Sequence, residues 1–414
     1  MPIKPISISL SPNTEKDDIS LAFKLLFQCW RWKRGKAVKE LEDNFKHYFG
    51  TKYAFSFNSG RTSLLALLKA LKLERGSEVL LQAFTCNAAA NPVLWSEMEP
   101  VYADCNEDDF NIDTDSLKKR ITPKSKVLIV QHTFGIPADM DKVVDIAKEN
   151  NLILIEDCAH SLGAKYDGKK LGTFGKAAFF SFSRDKIISS VYGGMVITND
   201  DELAENIKKF QEEINYPSYF WIKQQLLHPV MLNFIILPVY NLIDLGKIIL
   251  VLSQWIHILS KAVHWKEKRG EKPDYFPKRL PNAIALLALK QFKKLERFNN
   301  HREKIAGFYF DNLKGFDFPK ISEKAKPVFL RLPVKNPRAH DIIRTAWDKE
   351  NILIGDWYTS PIAPDDTKLD KMHYSVGTCP KAESLAKKTF NLPTHINISM
   401  DDAKRITDFL NGFR

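Results

Sequence analysis

Cysteine is scarce in this chain, and its placement matches neither a metal site nor a disulfide framework. No two cysteines form a CxxC pair. An odd, dispersed set is typical of reduced thiols in a cytosolic protein. The first residues also lack the apolar segment of a signal peptide, so we expect a cytoplasmic protein. The five cysteines are Cys29, Cys86, Cys105, Cys158 and Cys379.

Internal repeats, low-complexity tracts and long uninterrupted apolar runs are missing as well. In residues 224–260 the only formally charged residues are Asp244 and Lys247. These two charges, with Pro238, divide the run into pieces shorter than the ~18–20 residues that a membrane-spanning helix needs. The remaining composition, 44% hydrophobic and 27% charged over 414 residues, is that of a folded globular protein. It excludes disordered, collagen-like and disulfide-stapled classes.

The charge balance indicates an anionic partner. Lysine and arginine total 61 against 50 acidic residues, which gives a net charge of +11. Nucleic acid, a membrane surface and a phosphorylated substrate are all compatible with this balance. The basic residues lie outside any recognisable DNA- or RNA-binding motif, and we therefore expect no nucleic-acid partner.

Residues 53–200 alternate short β-rich runs with helical stretches. Such alternation predicts an α/β domain with a mostly parallel, buried sheet, whose ligands lie at the carboxyl ends of the strands. The predicted strands are 53–57, 78–82, 126–130, 152–157 and 177–182, and two predicted helices between them are 62–71 and 141–150.

The whole chain divides into three predicted parts. Residues 1–215 form the large α/β domain, and residues 216–280 form an apolar and basic helical insertion. Residues 281–414 comprise one long connecting helix, over 282–310, and a small C-terminal α+β domain.

Polar residues that follow the predicted strands suggest a cofactor site. Asp157 ends one strand, and Lys186 follows another. A carboxylate at a strand end can keep a pyridine nitrogen protonated, and a lysine amine can form a Schiff base. The turn at Gly60 and Arg61 opens a helix, whose N-terminal N–H groups can bind a phosphate. Together these residues could hold an aromatic cofactor that carries a phosphate.

The order and spacing of these residues resemble a known family. The matching segments include EDCAH at 156–160, LGTFGKAAFFSFSRDK at 171–186 and the C-terminal CPKAE and LPTH. The chain resembles the pyridoxal-phosphate-dependent sugar aminotransferases of the DegT/DnrJ/EryC1/StrS group nearly end to end. The resemblance implies the type I fold of pyridoxal-phosphate-dependent transferases, an α/β large domain with a central, mainly parallel mixed sheet plus a small α+β domain.

The resemblance also implies roles for individual residues. Lys186 corresponds to the Schiff-base lysine that moves protons during the reaction, and Asp157 to the partner of the pyridine nitrogen. His160 stands where a polar residue covers the cofactor ring, although a satisfied core histidine is an equal interpretation. The positions that correspond to phosphate contacts are Ser181, Gly60, Arg61 and Thr62.

Several positions depart from the family pattern. Cys86 stands where an aromatic residue stacks on the cofactor, and Phe84 is a candidate substitute for that aromatic. Ser183 replaces a histidine, and Tyr192 replaces a glutamate. Pro277 falls near an asparagine that reaches the phosphate across a subunit interface, whereas Arg279 is retained. We still expect pyridoxal 5'-phosphate to bind, and the histidines show no ligand spacing, so no metal is expected.

The implied activity is transfer of an amino group, from glutamate, to a keto sugar that is nucleotide-linked. The implied setting is a homodimer in cell-surface polysaccharide or glycan biosynthesis, with active sites at the subunit interface. Two alternatives remain open at this point. One is a membrane-associated variant acting on a lipid-linked or amphipathic acceptor, and the other is a regulatory protein that keeps the fold without the chemistry.

The insertion has three open interpretations: internal core, dimer interface, or a surface that dips into a bilayer. Basic segments favour the bilayer. Residues 23–39 contain six basic residues and no acid, and residues 261–279 contain seven basic residues against three acids. Tryptophans lie beside both segments, as in proteins that attach to one face of an anionic membrane. Contact through residues 224–279 would place the protein at the inner face of the membrane.

Overall fold

The structure is a computed structural model that describes residues 4–413. Its α-helices are α1 (Lys16–Leu26), α2 (Ala37–Phe49), α3 (Gly60–Ala70), α4 (Asn87–Trp95), α5 (Thr114–Arg120), α6 (Met140–Glu149), α7 (Asp201–Glu213), α8 (Tyr219–Met231), α9 (Leu245–Trp255), α10 (Asn282–Phe292), α11 (Leu295–Asn312), α12 (Ala339–Glu350), α13 (Pro380–Lys388) and α14 (Met400–Gly412). Its strands are β1 (Ile6–Ser7), β2 (Tyr53–Phe57), β3 (Glu78–Gln82), β4 (Thr85–Cys86), β5 (Glu99–Ala103), β6 (Ser125–Gln131), β7 (Ile153–Asp157), β8 (Lys165–Tyr166), β9 (Lys169–Lys170), β10 (Ala177–Ser181), β11 (Gly194–Thr198), β12 (Ala325–Lys326), β13 (Arg331–Lys335), β14 (Ile352–Leu353), β15 (Ile362–Ala363) and β16 (Thr389–Pro393).

A seven-stranded sheet organises the large domain. Its strand order is β2-β11-β10-β7-β6-β3-β5, and β11 is its antiparallel member. The predicted α/β fold with a mainly parallel mixed sheet is confirmed, and each of the five predicted strands is present. Two members of the sheet, β5 and β11, were not predicted.

Both faces of this sheet are buried, as its apolar strands require. Along β6, Leu128 and Val130 belong to one hydrophobic cluster, whereas Val127 and Ile129 belong to another. Successive side chains of a strand point to opposite faces, so the two clusters lie on opposite sides of the sheet. Helix α3, which adjoins the second cluster, leads directly from the end of β2 into the site described below.

The predicted connecting helix is in fact two helices, because α10 and α11 are separated at Lys293 and Lys294. Neither proline nor glycine explains the break. Instead, Lys294 Nζ lies 2.6 Å from Asp17 and 3.0 Å from Asp18 at the start of α1. These ion pairs connect the junction to α1, and the sequence of 282–310 does not predict them.

The small C-terminal domain has the predicted α+β character. Strands β13 and β16 pair antiparallel, and their apolar side chains share one cluster with Ile342 of α12 and Ile406 of α14. The N-terminal strand β1 pairs with β14 of this domain rather than with the large sheet. Strand β1, which the predicted boundary assigned to the large domain, is therefore paired with the small domain.

The insertion consists of α8, a π-helical turn at Leu232–Ile236, a short 3-10 turn and α9. Helix α8 packs against α1 and buries Trp221, Ile222 and Leu226. Within residues 4–413, no helix combines the length and the hydropathy that crossing a membrane would demand.

Candidate active site

A cavity of about 280 Å³ opens at the carboxyl ends of β7 and β10, in the middle of the large sheet. Residues of the large domain, of the small domain and of the insertion form its walls. The part of the insertion that takes part lies within residues 260–267, and we call this segment the strap. Seven of the eight predicted site residues line this cavity: Gly60, Arg61, Cys86, Asp157, His160, Ser181 and Lys186.

Asp157 and Lys186 lie in this one cavity because their strands are neighbours. Asp157 ends β7, where it is aligned with Phe179 of β10, and its Oδ1 accepts the Ala159 N–H at 2.9 Å. Burial raises the pKa of Asp157, while this N–H and the charge of Lys186 act in the opposite direction. Burial also lowers the pKa of Lys186 to about 8, against the attraction of nearby acidic groups that include Asp157. The site therefore holds an amine of unusually low basicity in the field of a buried carboxylate.

An aromatic wall from the small domain faces Lys186, and the sequence did not reveal it. The Lys186 ammonium lies 5.2 Å from the centre of the Trp357 ring. The Arg331 guanidinium lies 3.5 Å from the centre of the same ring. It also forms an ion pair with the Asp185 carboxylate at 3.5 Å. Asn391 fixes the backbone of Trp357 by accepting its N–H at 3.0 Å and donating to its carbonyl at 2.8 Å.

His160 is both a cavity residue and a satisfied buried histidine, so the two interpretations left open are compatible. Its Nδ1 accepts the Phe134 N–H at 3.2 Å, and its ring stacks on Trp357 with centroids 5.5 Å apart. Burial, reinforced by the positive charges of Lys186 and Arg331, lowers the pKa of His160 well below its usual value. The ring is therefore neutral at physiological pH.

The turn before α3 meets the end of β10 at very close range. A Cβ on Gly60 would lie 2.9 Å from the Cβ of Ser181, so a larger residue would push the two elements apart. The Ser181 hydroxyl lies 3.0 Å from that of Ser183, and both residues line the cavity. The first turn of α3 and these two hydroxyls thus form one polar corner.

Thr62, the eighth predicted residue, does not line the cavity. Its hydroxyl donates to Asn58 Oδ1 at 2.8 Å, and its N–H donates to the Ser59 hydroxyl at 3.0 Å. Ser59 is the N-cap of α3, so Thr62 helps to begin the helix, and its predicted phosphate contact stays a prediction. In the sequence, the position of Thr62 three residues after Ser59 was the signal for this capping role.

The Arg61 side chain is bound to residues of the strap. Its guanidinium forms a fully buried ion pair with Glu267 and donates to the Ala262 carbonyl at 3.3 Å. Burial alone would lower the pKa of Arg61, but the charge of Glu267 raises it overall, and Arg61 stays charged. The predicted phosphate contact would therefore have to share this guanidinium with Glu267.

Tyr192 and Arg184 also fasten the strap to the large domain. The Tyr192 hydroxyl donates to the Lys261 carbonyl at 2.9 Å, and Arg184 donates to the Ser260 carbonyl at 2.7 Å. Tyr192 is one of the departures from the family pattern, and in this fold it holds the strap over the cavity. The sequence offered no signal for these pairings, because the two partners of each are remote along the chain.

Two further departures have clear positions. Cys86 lines the cavity and its sulfur accepts the Ala88 N–H at 3.5 Å, which caps α4. Phe84, the candidate substitute for the stacking aromatic, is fully buried behind the cavity against Phe134. Arg279 donates to carbonyls at the end of α7, including that of Gln211 at 2.7 Å, so its side chain is engaged within its own chain.

One buried group of possible metal ligands among the described residues has a structural use. His132, Glu156 and Cys158 are buried side by side. The Glu156 carboxylate, however, accepts N–H groups from Gly172 and Phe174, each at 2.6 Å. The expectation of no metal remains a prediction.

Comparison with known proteins places the chain in a family. The sequence profile of the DegT/DnrJ/EryC1/StrS aminotransferase family matches residues 13–215 and 259–411, leaving 216–258 unmatched. The GDP-perosamine synthase of Caulobacter vibrioides is 26% identical over 400 residues, which cover 96% of this chain and 95% of the relative. The spore coat polysaccharide biosynthesis protein SpsC of Bacillus subtilis is 26% identical over 406 residues, covering 96% and 94%.

A solved structure supports the fold. The crystal structure of ntda from Bacillus subtilis, with bound cofactor PMP, has a TM-score of 0.75 and 21% identity, covering 99% of this chain and 85% of that one. The profile match spans most of the chain and includes the segments that carry the cavity. The chain belongs to the DegT/DnrJ/EryC1/StrS aminotransferase family.

Proposed function

We propose that this chain is a pyridoxal-phosphate-dependent aminotransferase that moves the amino group of glutamate to a nucleotide-linked keto sugar, in the synthesis of a cell-surface glycan. The observation that carries the proposal is the meeting of Lys186 and Asp157 in one cavity at the ends of adjacent strands. The family membership and the aminosugar and polysaccharide names of the relatives support the same chemistry.

The residues of the cavity fit pyridoxal phosphate. Asp157 is a buried carboxylate suited to the pyridine nitrogen, and the Lys186 amine is suited to the aldehyde. The N-terminus of α3 at Gly60, with the hydroxyls of Ser181 and Ser183, is suited to the phosphate. Arg184 Nε, a buried donor at this corner without a hydrogen-bond partner, adds positive charge.

Lys186 would act as the proton carrier of the reaction. When bound, pyridoxal phosphate supplies the electron sink that stabilises negative charge at the reacting carbon. With its pKa lowered to about 8, Lys186 Nζ is close to the balance between its neutral and charged forms at cellular pH. Such a group can both accept a proton from substrate carbon and return it.

The remaining walls would orient the cofactor and exclude water. Asp157 holds a negative charge where a protonated ring nitrogen would lie, and Ala159 keeps that carboxylate in place. Trp357 and the strap residue Val263 close the cavity from two other sides. Neutral His160, packed against Trp357, supports this wall without adding a charge.

We also propose that the enzyme is a homodimer, as the family resemblance implies. Because Arg279 is held by the carbonyls that end α7, reaching a partner's site would require it to leave these bonds. The mass of the full chain in solution, measured by light scattering during size-exclusion chromatography, tests this proposal, and a monomeric mass would contradict it.

The proposed reaction can be tested one half at a time. Glutamate should convert the visible absorption of the bound cofactor to that of its amine form. A nucleotide-linked keto sugar should then restore the visible band and yield an aminated sugar, identified by mass spectrometry. Free and lipid-linked keto sugars serve as alternative acceptors.

The same experiment decides between enzyme and regulator. Loss of the visible band with glutamate, followed by no recovery with any keto sugar, would contradict the proposed acceptor. A stable cofactor band that glutamate never changes would favour a regulatory protein that retains the fold. The Lys186→Ala variant provides the control, because it should lack the original band.

A further inference from the structure

Most of the large apolar side chains that are exposed on this protein lie in two regions. All such exposed residues among residues 4–413, except Val376 and Met400, belong to the end of α1 and its following turn or to the insertion and strap. The exposed apolar residues of these regions are Phe23, Phe27, Trp30, Tyr219, Phe220, Phe234, Ile235, Leu242, Ile243, Leu245, Ile248, Val251, Leu252, Trp255, Ile256, Ile258 and Trp265, which together we call the apolar face. An exposed apolar area of this extent marks an interaction surface.

Helix α9 contributes an entire apolar stripe to this face. Leu245, Ile248, Leu252 and Trp255 are spaced three or four residues apart, as neighbours on one side of a helix are. All four are exposed, and Trp255 is 74% exposed. The residues that α9 buries are Gly246 and Ser253. This helix therefore turns one apolar stripe to the solvent and places Gly246, Ser253 and the half-buried Ile249 and Leu250 toward the protein.

The two contributing regions adjoin each other. Helix α1 packs along α8, and the Lys33 ammonium lies 4.4 Å from the ring centre of Tyr219. Trp32 and Tyr219 are also in ring contact, with centroids 5.9 Å apart. Helix α9 packs against the π-helical turn that follows α8, with Gly246 close to the backbone of Tyr240. The apolar face is thus built on one packed group of helices.

Positive charge lies beside the apolar face. Lys24, Arg34 and Lys36 are exposed and form no ion pair within residues 4–413. The exposed Lys261 and Arg269 add to them on the strap side. Of the acids nearby, Asp244 is paired with Lys247 at 2.7 Å, while Glu271 and Asp274 follow the strap. The balance around the face is positive.

A groove of about 990 Å³ indents the apolar face beside α8. Trp221, Trp255 and Trp265 line it together with Lys261 and Lys268, and Val263 forms part of both this groove and the catalytic cavity. Tryptophan beside lysine is the side-chain combination found at membrane–water interfaces, where an apolar ring meets a phosphate layer.

We propose that the apolar face docks the enzyme on the surface of an anionic phospholipid bilayer. The face would lie in the head-group layer without crossing it, because its helices are too short to span. A second copy of the chain is a poorer occupant, since a two-fold contact would bring the same positive segments together. The insertion segment 216–258 lies outside the family match, which is consistent with an added docking element.

Vesicle co-sedimentation of the full chain tests this docking. The wild type should sediment with vesicles of phosphatidylcholine and phosphatidylglycerol, should bind pure phosphatidylcholine weakly, and should be released by salt. The double variant Ile248→Ser/Leu252→Ser should lower the partition coefficient ~tenfold or more, because two apolar side chains no longer enter the interface. Arg34→Glu should lower it several-fold on anionic vesicles only.

Matched variants control for nonspecific effects. Val376→Ser removes an even more exposed apolar side chain elsewhere, and Lys314→Glu reverses an exposed charge elsewhere. Both should bind vesicles as the wild type does. Urea unfolding midpoints should be the same for every variant, since each replaced side chain is exposed.

Two results would overturn the proposal. One is absence of wild-type binding to vesicles of either composition. The other is a change of oligomeric state in Ile248→Ser/Leu252→Ser during size-exclusion chromatography, which would assign the face to a contact between copies. The docking proposal does not depend on the proposed reaction, so failure of either leaves the other standing.

Discussion

Helices α3 and α9 have the same length, 11 residues, and both are rich in leucine or isoleucine, yet their surroundings are opposite. Helix α3 buries every residue except Lys69, whereas α9 buries only Gly246 and Ser253. The first lies at the catalytic cavity, inside the family match, and the second lies in the unmatched insertion. Apolar content therefore does not decide whether a helix is buried or exposed, because that depends on the surface that packs against it.

The sharpest contrast between the two regions should be catalytic. Lys186→Ala should lower the rate of amino transfer by about a hundredfold to ten-thousandfold, the usual contribution of a positioned proton carrier. Lys247→Ala, in α9, should leave the rate unchanged in detergent-free buffer without vesicles. Single-turnover kinetics of both half-reactions measures the effect. Equal losses in the two variants would remove the functional distinction between the regions.

Ion pairs provide the next contrast. Glu267→Ala should destabilise the protein by about 3–5 kcal/mol, because it leaves the buried guanidinium of Arg61 without its counter-charge. Asp244→Ala breaks the exposed pair with Lys247 and should cost ~1 kcal/mol or less. Urea unfolding of the two variants measures the difference. A small loss in Glu267→Ala would mean that the strap is not held by Arg61.

Replacing one leucine in each helix by alanine compares α3 with α9 directly. Leu67→Ala in α3 removes a fully buried side chain and should cost about 2–5 kcal/mol. Leu252→Ala in α9 removes a half-exposed one, and its effect should stay within about 0.5 kcal/mol. The free energy of unfolding in urea gives both values. If Leu252→Ala were as destabilising as Leu67→Ala, the apolar face would be part of a core.

The last contrast is a pH dependence confined to the cavity. A lysine with its pKa lowered to about 8 is protonated below that pH and neutral above it. The half-reaction with a keto sugar, in which this amine is free to accept a proton, should therefore speed up about tenfold per pH unit below 8 and level off above it. Stopped-flow absorbance at a series of pH values gives the profile.

The His160→Gln variant tests whether this pH profile reports the titration of Lys186 or that of His160. Because the pKa of His160 lies well below its usual value, the histidine stays neutral across the whole range. Its replacement should leave the midpoint near pH 8. A midpoint that moves with this variant would assign the titration to the histidine instead.

The sequence predicted five of the seven strands of the large sheet, because their apolar runs are typical of buried strands. Residues that follow neighbouring strands lie near each other, as Asp157 and Lys186 do. The sequence also predicted that the turn at Gly60 opens a helix, and Gly60 is the first residue of α3. These features depend on local sequence and on the rules of sheet topology.

Features that depend on remote partners could not be predicted. Trp357 and Arg331 enter the cavity wall from the small domain, and Glu267 reaches Arg61 from the strap. The local sequence around these residues does not predict these contacts. The sequence of 282–310 likewise does not predict the break between α10 and α11, where Lys294 pairs with Asp17 of α1. The exposure of α9 also depends on what packs against it, and its sequence alone favoured burial as readily as attachment.

The central claim is that Lys186 holds the cofactor covalently, with Asp157 at the other end of the ring. Reduction of the purified wild-type protein with borohydride, followed by peptide mass spectrometry, tests it most directly. We predict the added mass of the reduced cofactor on the peptide that contains Lys186, and no adduct in Lys186→Ala. An adduct on another lysine, or a protein prepared with excess pyridoxal phosphate that gives none, would contradict the claim.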